Sequence, residues 1–248
     1  MLLPVRNFLF AACMSSIFVS AQPATAQSAD DKAPAHAQHE LVTCPDSPTP
    51  GKRPNNMECA ILAHTRFTKL PSGTLFLRLE TFSTSERAQA AATPSSAVVE
   101  AMGKIWLLTL GNKGQRSAGG TFLNEIGPIP DVPPADGYIL DVAEAAFDFE
   151  MRPAVSRAVH THPGPEIFYI FTGEQCLETP AGAMRAGAGE GMVAPANTPM
   201  QLNSTGSAKR DALFMIVHDS SKPWGTVSDW QPKGLCRHCT SNILPSIP

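Results

Sequence analysis

His160, His162 and Glu166 stand within seven residues of one another. Their types and spacing suit a divalent metal. In a strand, residues two apart face the same side, so His160 and His162 present two imidazoles next to each other. The turn-forming Pro163-Gly164-Pro165 reverses the chain and delivers Glu166 at the start of the next strand, where Glu166, Phe168 and Ile170 share a face. With that face inside a barrel, the carboxylate meets both imidazoles in an apolar pocket. Two neutral nitrogens and one oxyanion suit Fe(II), Mn(II), Ni(II), Zn(II) or Cu(II), and two-His-one-carboxylate sites with open positions favour oxygen chemistry at iron. The competing reading is an exposed strand end that carries the three by chance. Their tight spacing and apolar surroundings argue against it.

The elements that must position these residues follow a rigid connector, Gly127-Pro128-Ile129-Pro130-Asp131-Val132-Pro133-Pro134. Strand patterns come in close succession after it: Tyr138 to Ala145, Ser156 to His162, Glu166 to Phe171, Gln175 to Thr179, Met192 to Ala194, Met200 to Asn203 and Ala212 to His218. Gly- and Pro-bearing turns lie between them. Short strands at even spacing with turn signals indicate a sandwich or barrel.

Ahead of the connector, Leu75 to Phe82 is a strand pattern, and Ser83 with Glu86 has the form of a capping box opening a short helix over Arg87 to Ala92. Val98 to Glu100 and Lys104 to Leu110 are further strands, with Gly111 to Gly120 a loop. This front portion reads as α+β. It holds no constellation of catalytic side chains, and His64 and Trp106 read as packing residues. The expected division is a signal peptide over 1–26, a flexible leader over 27–57, an α+β portion over 58–127, a β-barrel over 128–222 and a tail over 223–248.

The N-terminus reads as an address. Arg6 precedes a short apolar run from Phe8 to Val19, and Ala24-Thr25-Ala26 offers a cleavage site, so a cleaved secretory signal is expected. The run is short for a membrane span, and nothing later offers another. A periplasmic or secreted location makes disulfides the default state of the cysteines. Cys44 with Cys59 closes a Pro/Gly-rich loop. Cys236 and Cys239 form a C-x-x-C, for which a local disulfide is preferred over a redox pair or half a zinc site, leaving Cys176 as the odd, buried cysteine. The chain of 248 residues is 43% hydrophobic and 17% charged, with a net charge of -3. It has no Lys/Arg cluster, which argues against nucleic acid as a partner. Its 23 prolines and 18 glycines favour short strands and many turns over long helices.

His160-Thr161-His162-x-x-x-Glu166, followed by Tyr169 and Gly173, resembles the first signature of the cupin superfamily. Gly189 to Pro199, with Gly189 and Pro195 at its glycine and proline positions, resembles the second, more loosely. The resemblance covers about Tyr138 to His218. It implies a mainly β fold, a small jelly-roll barrel holding one metal, with a ligand pocket at its mouth and a homodimer paired through outer strands.

The sequence departs from that pattern at one ligand. The second signature supplies a further histidine; here Met200 holds its place, with Asn197 replacing a glycine just before it. Gln201 is adjacent but alternates to the opposite face unless a bulge intervenes. Three arrangements follow. The metal keeps His160, His162 and Glu166 and adds water or substrate, as open sites do; or a neighbouring strand supplies a substitute, for which His218 is placed; or the site is weak or empty and the barrel is a binding pocket. The first is preferred, then the third. Tyr169, three residues after Glu166, faces away and packs. Glu178 and Arg185 are candidates for the barrel mouth, though such a residue is more often a solvated surface charge. Two functions are therefore expected in competition: a metalloenzyme of dioxygenase type on a small organic molecule, and a non-catalytic small-molecule-binding protein. No residue takes a catalytic role from sequence alone.

Overall fold

The computed structural model describes residues 44–147 and 159–236. The expected signal segment, most of the leader, the start of the strand read from Ser156, and Cys239 lie outside the described residues. Among those described, strands in chain order are β1 (Cys59–Phe67), β2 (Phe76–Phe82), β3 (Ser96–Ala101), β4 (Lys104–Gly111), β5 (Thr121–Ile126), β6 (Tyr138–Phe147) and β7 (His160–Thr161). They continue with β8 (Glu166–Thr172), β9 (Glu174–Thr179), β10 (Gly182–Gly187), β11 (Gly191–Ala194), β12 (Gln201–Thr205), β13 (Arg210–Asp219) and β14 (Thr226–Val227); one helix, α1 (Ser85–Ala91), lies between β2 and β3. The fold is mainly β.

A five-stranded antiparallel sheet in the order β1-β6-β13-β8-β11 forms the central layer. Its middle strands are buried on both faces and therefore read as continuous apolar runs, with alternation deciding which core each side chain joins. On β8, Phe168 and Ile170 point into one core with Leu177 and Leu202 of the three-stranded sheet β10-β9-β12. Ile167 and Tyr169 point the other way, into a second core with Leu77, Leu79, Trp106 and Leu108 of the four-stranded sheet β3-β4-β2-β5. Thus β6 to β13 close a barrel around the first core, while the front portion packs on the outer face of the barrel's larger sheet.

Several sequence readings change here. Strand β1 belongs to the front portion in sequence but pairs with β6 of the barrel over Cys59–Phe67. The connector contributes Ile129 and Val132 to the second core. Residues 44–57, read as leader, are held by bonds such as Ser47 N to Ile61 O (2.8 Å) and Gly51 N to Leu62 O (2.8 Å). The N-cap of α1 is Thr84, not Ser83: its side chain accepts from Arg87 N at 3.3 Å. A capping oxygen serves the amides two or three residues on, in the first turn, so a helix starting at Ser85 uses the hydroxyl of Thr84. Strands β1, β5, β10 and β14 were not legible as strands.

Cys44 and Cys59 are joined as expected, with Cα atoms 5.2 Å apart. The C-x-x-C pairing is corrected: Cys236 is bonded to Cys176, Cα–Cα 5.6 Å, across a separation of 60 residues. On β9, Leu177 faces the barrel core, so Cys176 and Glu178 face outward. The tail crosses that outer face, where Glu178 accepts hydrogen bonds from Lys233 N at 2.5 Å and Leu235 N at 2.9 Å.

Candidate metal centre

His160, His162 and Glu166 are brought together by the fold. One ligand atom from each lies within 4.8 Å of the others, and all three residues are buried. His160 is held across from Met200 by reciprocal backbone bonds, His160 N to Met200 O at 3.1 Å and Met200 N to His160 O at 2.9 Å. The His160 and His162 rings meet edge-on at 4.8 Å.

Glu166 opens β8 opposite Ala194 of β11 and Ile216 of β13, at the head of the inward-facing series the alternation requires. The Pro163-Gly164-Pro165 turn reaches it by running against β13, where a Cβ on Gly164 would overlap the carbonyl oxygen of Val217. The second motif segment is fastened to the first by Asn197 N to His162 O at 2.8 Å. Asn197 has φ 56°, a left-handed conformation that asparagine tolerates better than most residues. The substitution for glycine therefore preserves the turn.

The protonation pattern shows whether a cation fits. His162 Nδ1 lies 2.5 Å from Trp224 O. A carbonyl only accepts, so Nδ1 carries the proton, and in the neutral ring the lone pair sits on Nε2. Nε2 is 3.3 Å from Glu166 Oε2, and neither buried atom has another hydrogen-bond partner among the described residues. Two facing lone pairs at that distance repel unless a second ring proton, on Nε2, or a metal cation stands between them. A divalent cation meets that need with the ligand types present, so the three residues fit a metal. For the His162 side chain, burial opposes the charged form, but the Glu166 carboxylate and the Trp224 carbonyl outweigh it, and the pKa is raised from its usual value.

The other candidates separate clearly. Met200 is fully buried beside His160. His218 is buried but engaged, with Nε2 3.0 Å from Asp141 Oδ2 and Nδ1 2.8 Å from Asp219 O, and it is not part of the cluster. Gln201 pairs with Glu178 in register, on the side opposite the core residue Leu202. Glu178 neither lines the mouth nor meets solvent; it is fully buried beneath the tail. Arg185 is a surface residue paired with Glu174 at 3.0 Å. Tyr169 packs away from the cluster, 5.8 Å from the Trp106 ring and 5.3 Å from the Phe171 ring. Trp106 is a core residue, as read. His64 is not: it bridges Asp141 Oδ1 at 2.6 Å and Asp46 Oδ1 at 3.1 Å.

The tail is the part of the site that sequence reasoning missed. Trp224 lies against the barrel core and its ring is 5.4 Å from that of His162. Strand β14 pairs with β7, placing Thr226 opposite Thr161 and Val227 opposite His160. The Pro223-Trp224-Gly225 segment has no spacing relation to the motif, and its one cue is a tryptophan followed by a glycine.

No family profile matches the chain and no curated protein matches it. Among solved structures, a cupin superfamily protein from Desulfitobacterium hafniense is similar over 32% of this chain and 68% of its own, at 13% identity and a TM-score of 0.27. A cupin-like protein from Thermotoga maritima is similar over 36% and 64%, at 14% identity and a TM-score of 0.30. A DMSP lyase from Ruegeria pomeroyi is similar over 36% and 43%, at 20% identity and a TM-score of 0.30. The last two matches span less than two thirds of those proteins. They concern fold alone, and two of the three are described as cupin or cupin-like proteins.

Proposed function

We propose that His160, His162 and Glu166 hold one divalent transition metal and that the chain is a metalloenzyme, of dioxygenase type, acting on a small organic molecule. The observation that carries this reading is the buried pair His162 Nε2 and Glu166 Oε2, 3.3 Å apart and without other hydrogen-bond partners among the described residues. When bound, such a metal with an open position supplies Lewis acidity or activates water or dioxygen. The chain's own residues supply the rest. Trp224 O holds the His162 proton on Nδ1, Glu166 contributes the anionic charge, and Phe168 and Ile170 continue the same inward face as an apolar lining.

A specific observation favours a second reading, a non-catalytic small-molecule-binding barrel with weak metal affinity. Met200, a soft thioether, is fully buried directly across from His160.

Export to the periplasm or outside the cell belongs to the proposal and is supported by the two disulfides, which persist in oxidising compartments. Among the described residues no helix is long and apolar enough to cross a membrane. A homodimer remains an expectation from resemblance, and the outer face of the larger barrel sheet is already covered by β2 to β5 of the same chain.

Metal analysis of protein purified without chelators tests the proposal. Near-stoichiometric transition metal, lost in His160→Ala and Glu166→Ala, is expected, because loss of a ligand lowers affinity strongly. Less than about a tenth of an equivalent, unchanged by either substitution, overturns the enzyme reading.

A further inference from the structure

The front sheet carries a second feature, built on the face turned away from the cores. On β2, Leu77 and Leu79 enter the second core, so alternation sends Arg78 and Glu80 to the opposite face. That side of an antiparallel sheet is commonly solvated. Here Arg78 is 5% exposed and Glu80 is 0% exposed. Helix α1 covers one end of the face, where Ala88 packs on Phe82 and Leu107. The loop between β4 and β5 covers the other, with Ser117 N donating to Glu80 Oε1 at 2.9 Å.

Between these covers lies a groove of about 1140 Å³. Arg78, Arg87 and Arg116 line it, together with Ser95, Thr109 and Asn112, and none of its lining residues is acidic. That composition is notable in a chain whose net charge is -3.

Arg78 is fixed in place. Its Nε donates to Glu80 Oε2 at 2.8 Å and its Nη2 to Ser117 Oγ at 3.1 Å. Nη1 has no hydrogen-bond partner among the described residues. Glu80 is committed to these contacts, and despite its burial the bonds from Ser117 and Arg78 hold its pKa below the usual value. An ion pair of this kind is a poor stabiliser, since an apolar pair of similar volume often does as well. It does give a guanidinium held at one orientation, ready to recognise a planar or tetrahedral anion. Arg87 on α1 has no ion-pair partner among the described residues, and Arg116 is stacked on Phe122 at 3.7 Å while reaching Glu125 at 3.5 Å.

We propose that this groove binds a small organic anion bearing a carboxylate or phosphate group, with Arg78 Nη1 as the fixed donor and Arg87 and Arg116 as the outer cations. The surrounding hydroxyl and amide groups suit a hydroxylated body behind the charge. The site is separate from the metal centre and does not depend on it.

Isothermal titration of the full chain with citrate, glucose 6-phosphate and neutral glucose tests the assignment. The chain carries Glu166→Ala and is freed of metal, so that citrate cannot act by chelation. Saturable binding of at least one anion, and none of glucose, is expected. Binding of citrate alone identifies carboxylate chemistry, and of glucose 6-phosphate alone phosphate chemistry. The surface double variant Arg87→Gln/Arg116→Gln should weaken binding at least tenfold, about 1.4 kcal/mol, with an unchanged circular dichroism spectrum. Arg78→Lys keeps the charge beside Glu80 but removes the fork, and should weaken binding comparably. No saturable binding of either anion up to about 20 mM, weaker than any useful affinity, overturns the proposal. Equal affinities with and without the double substitution, in that same metal-free background, overturn it as well.

Discussion

The carbonyl oxygen of Trp224 lies 2.5 Å from Nδ1 of His162, a residue 62 positions earlier in the chain. One backbone atom of the tail thereby sets the tautomer of a buried side chain in the candidate metal centre and aims its other nitrogen at Glu166. Metal-binding histidines are commonly oriented by such a partner, and losing it typically weakens metal affinity by about 10–100-fold.

Gly225 tests this relationship without replacing a proposed ligand. A Cβ at that position would stand 3.2 Å from both Cε1 and Nδ1 of the His162 ring. Gly225→Val therefore has to displace the ring or the tail. Metal affinity, read by competition with a chromophoric chelator, should fall about 10–100-fold, while far-UV circular dichroism stays that of the wild type. Unchanged affinity would show that the tail does not position His162.

The same tail is tethered by Cys176–Cys236. Cys236→Ser frees one end of it while the Glu178 contacts remain. Loss of such a cross-link typically removes about 2–4 kcal/mol, so a lower Tm is expected, together with weaker metal binding. Reducing the wild type with a non-chelating phosphine should weaken metal binding likewise and lower Tm at least as far, because Cys44–Cys59 opens too. A stability loss without any change in metal affinity would separate the tether from the site.

Met200 faces His160 in a hydrogen-bonded antiparallel pair, where Cα atoms stand roughly 5.5 Å apart. Met200→His places an imidazole where it can complete a four-ligand set. Affinity for Zn(II) or Ni(II) should rise tenfold or more, about 1.4 kcal/mol or more. If affinity stays flat or falls, the methionine does not occupy a ligand position.

His64 provides the pH-dependent link. Burial disfavours its charged form, but hydrogen bonds and Coulomb attraction from Asp141 and Asp46 outweigh that, and its pKa is raised from 6.5. A raised pKa means that the folded state holds the proton more tightly than the unfolded chain. The stabilisation is complete below about 6.5, the unfolded value, and is lost as pH rises through the folded value. Because the side chain is 44% exposed, the effect should stay below about 1 kcal/mol. The Tm difference between wild type and His64→Gln should accordingly be largest below about pH 6.5 and shrink as pH rises above that value. A difference that grows with pH would contradict this assignment.

Local pattern alone determined the strands that carry the site. Period-two alternation in Glu166 to Phe171 assigns Glu166 and Phe168 to one face and Tyr169 to the other, and the Pro163-Gly164-Pro165 turn returns the chain onto His160 and His162. Such features depend on neighbours within a few residues, so they are readable in one dimension. Tertiary structure decided the rest. The choice of Cys176 over Cys239 as partner of Cys236, the burial of Glu178 beneath the tail, the engagement of His218 by Asp141 and the hold of Trp224 on His162 all join residues far apart in sequence. So does the enclosure of Arg78, whose strand position predicts exposure until α1 and the loop bearing Ser117 cover it. Each depends on which faces meet when the sheets pack, and alternation within a strand tells which side a residue faces but not what will come to lie against it.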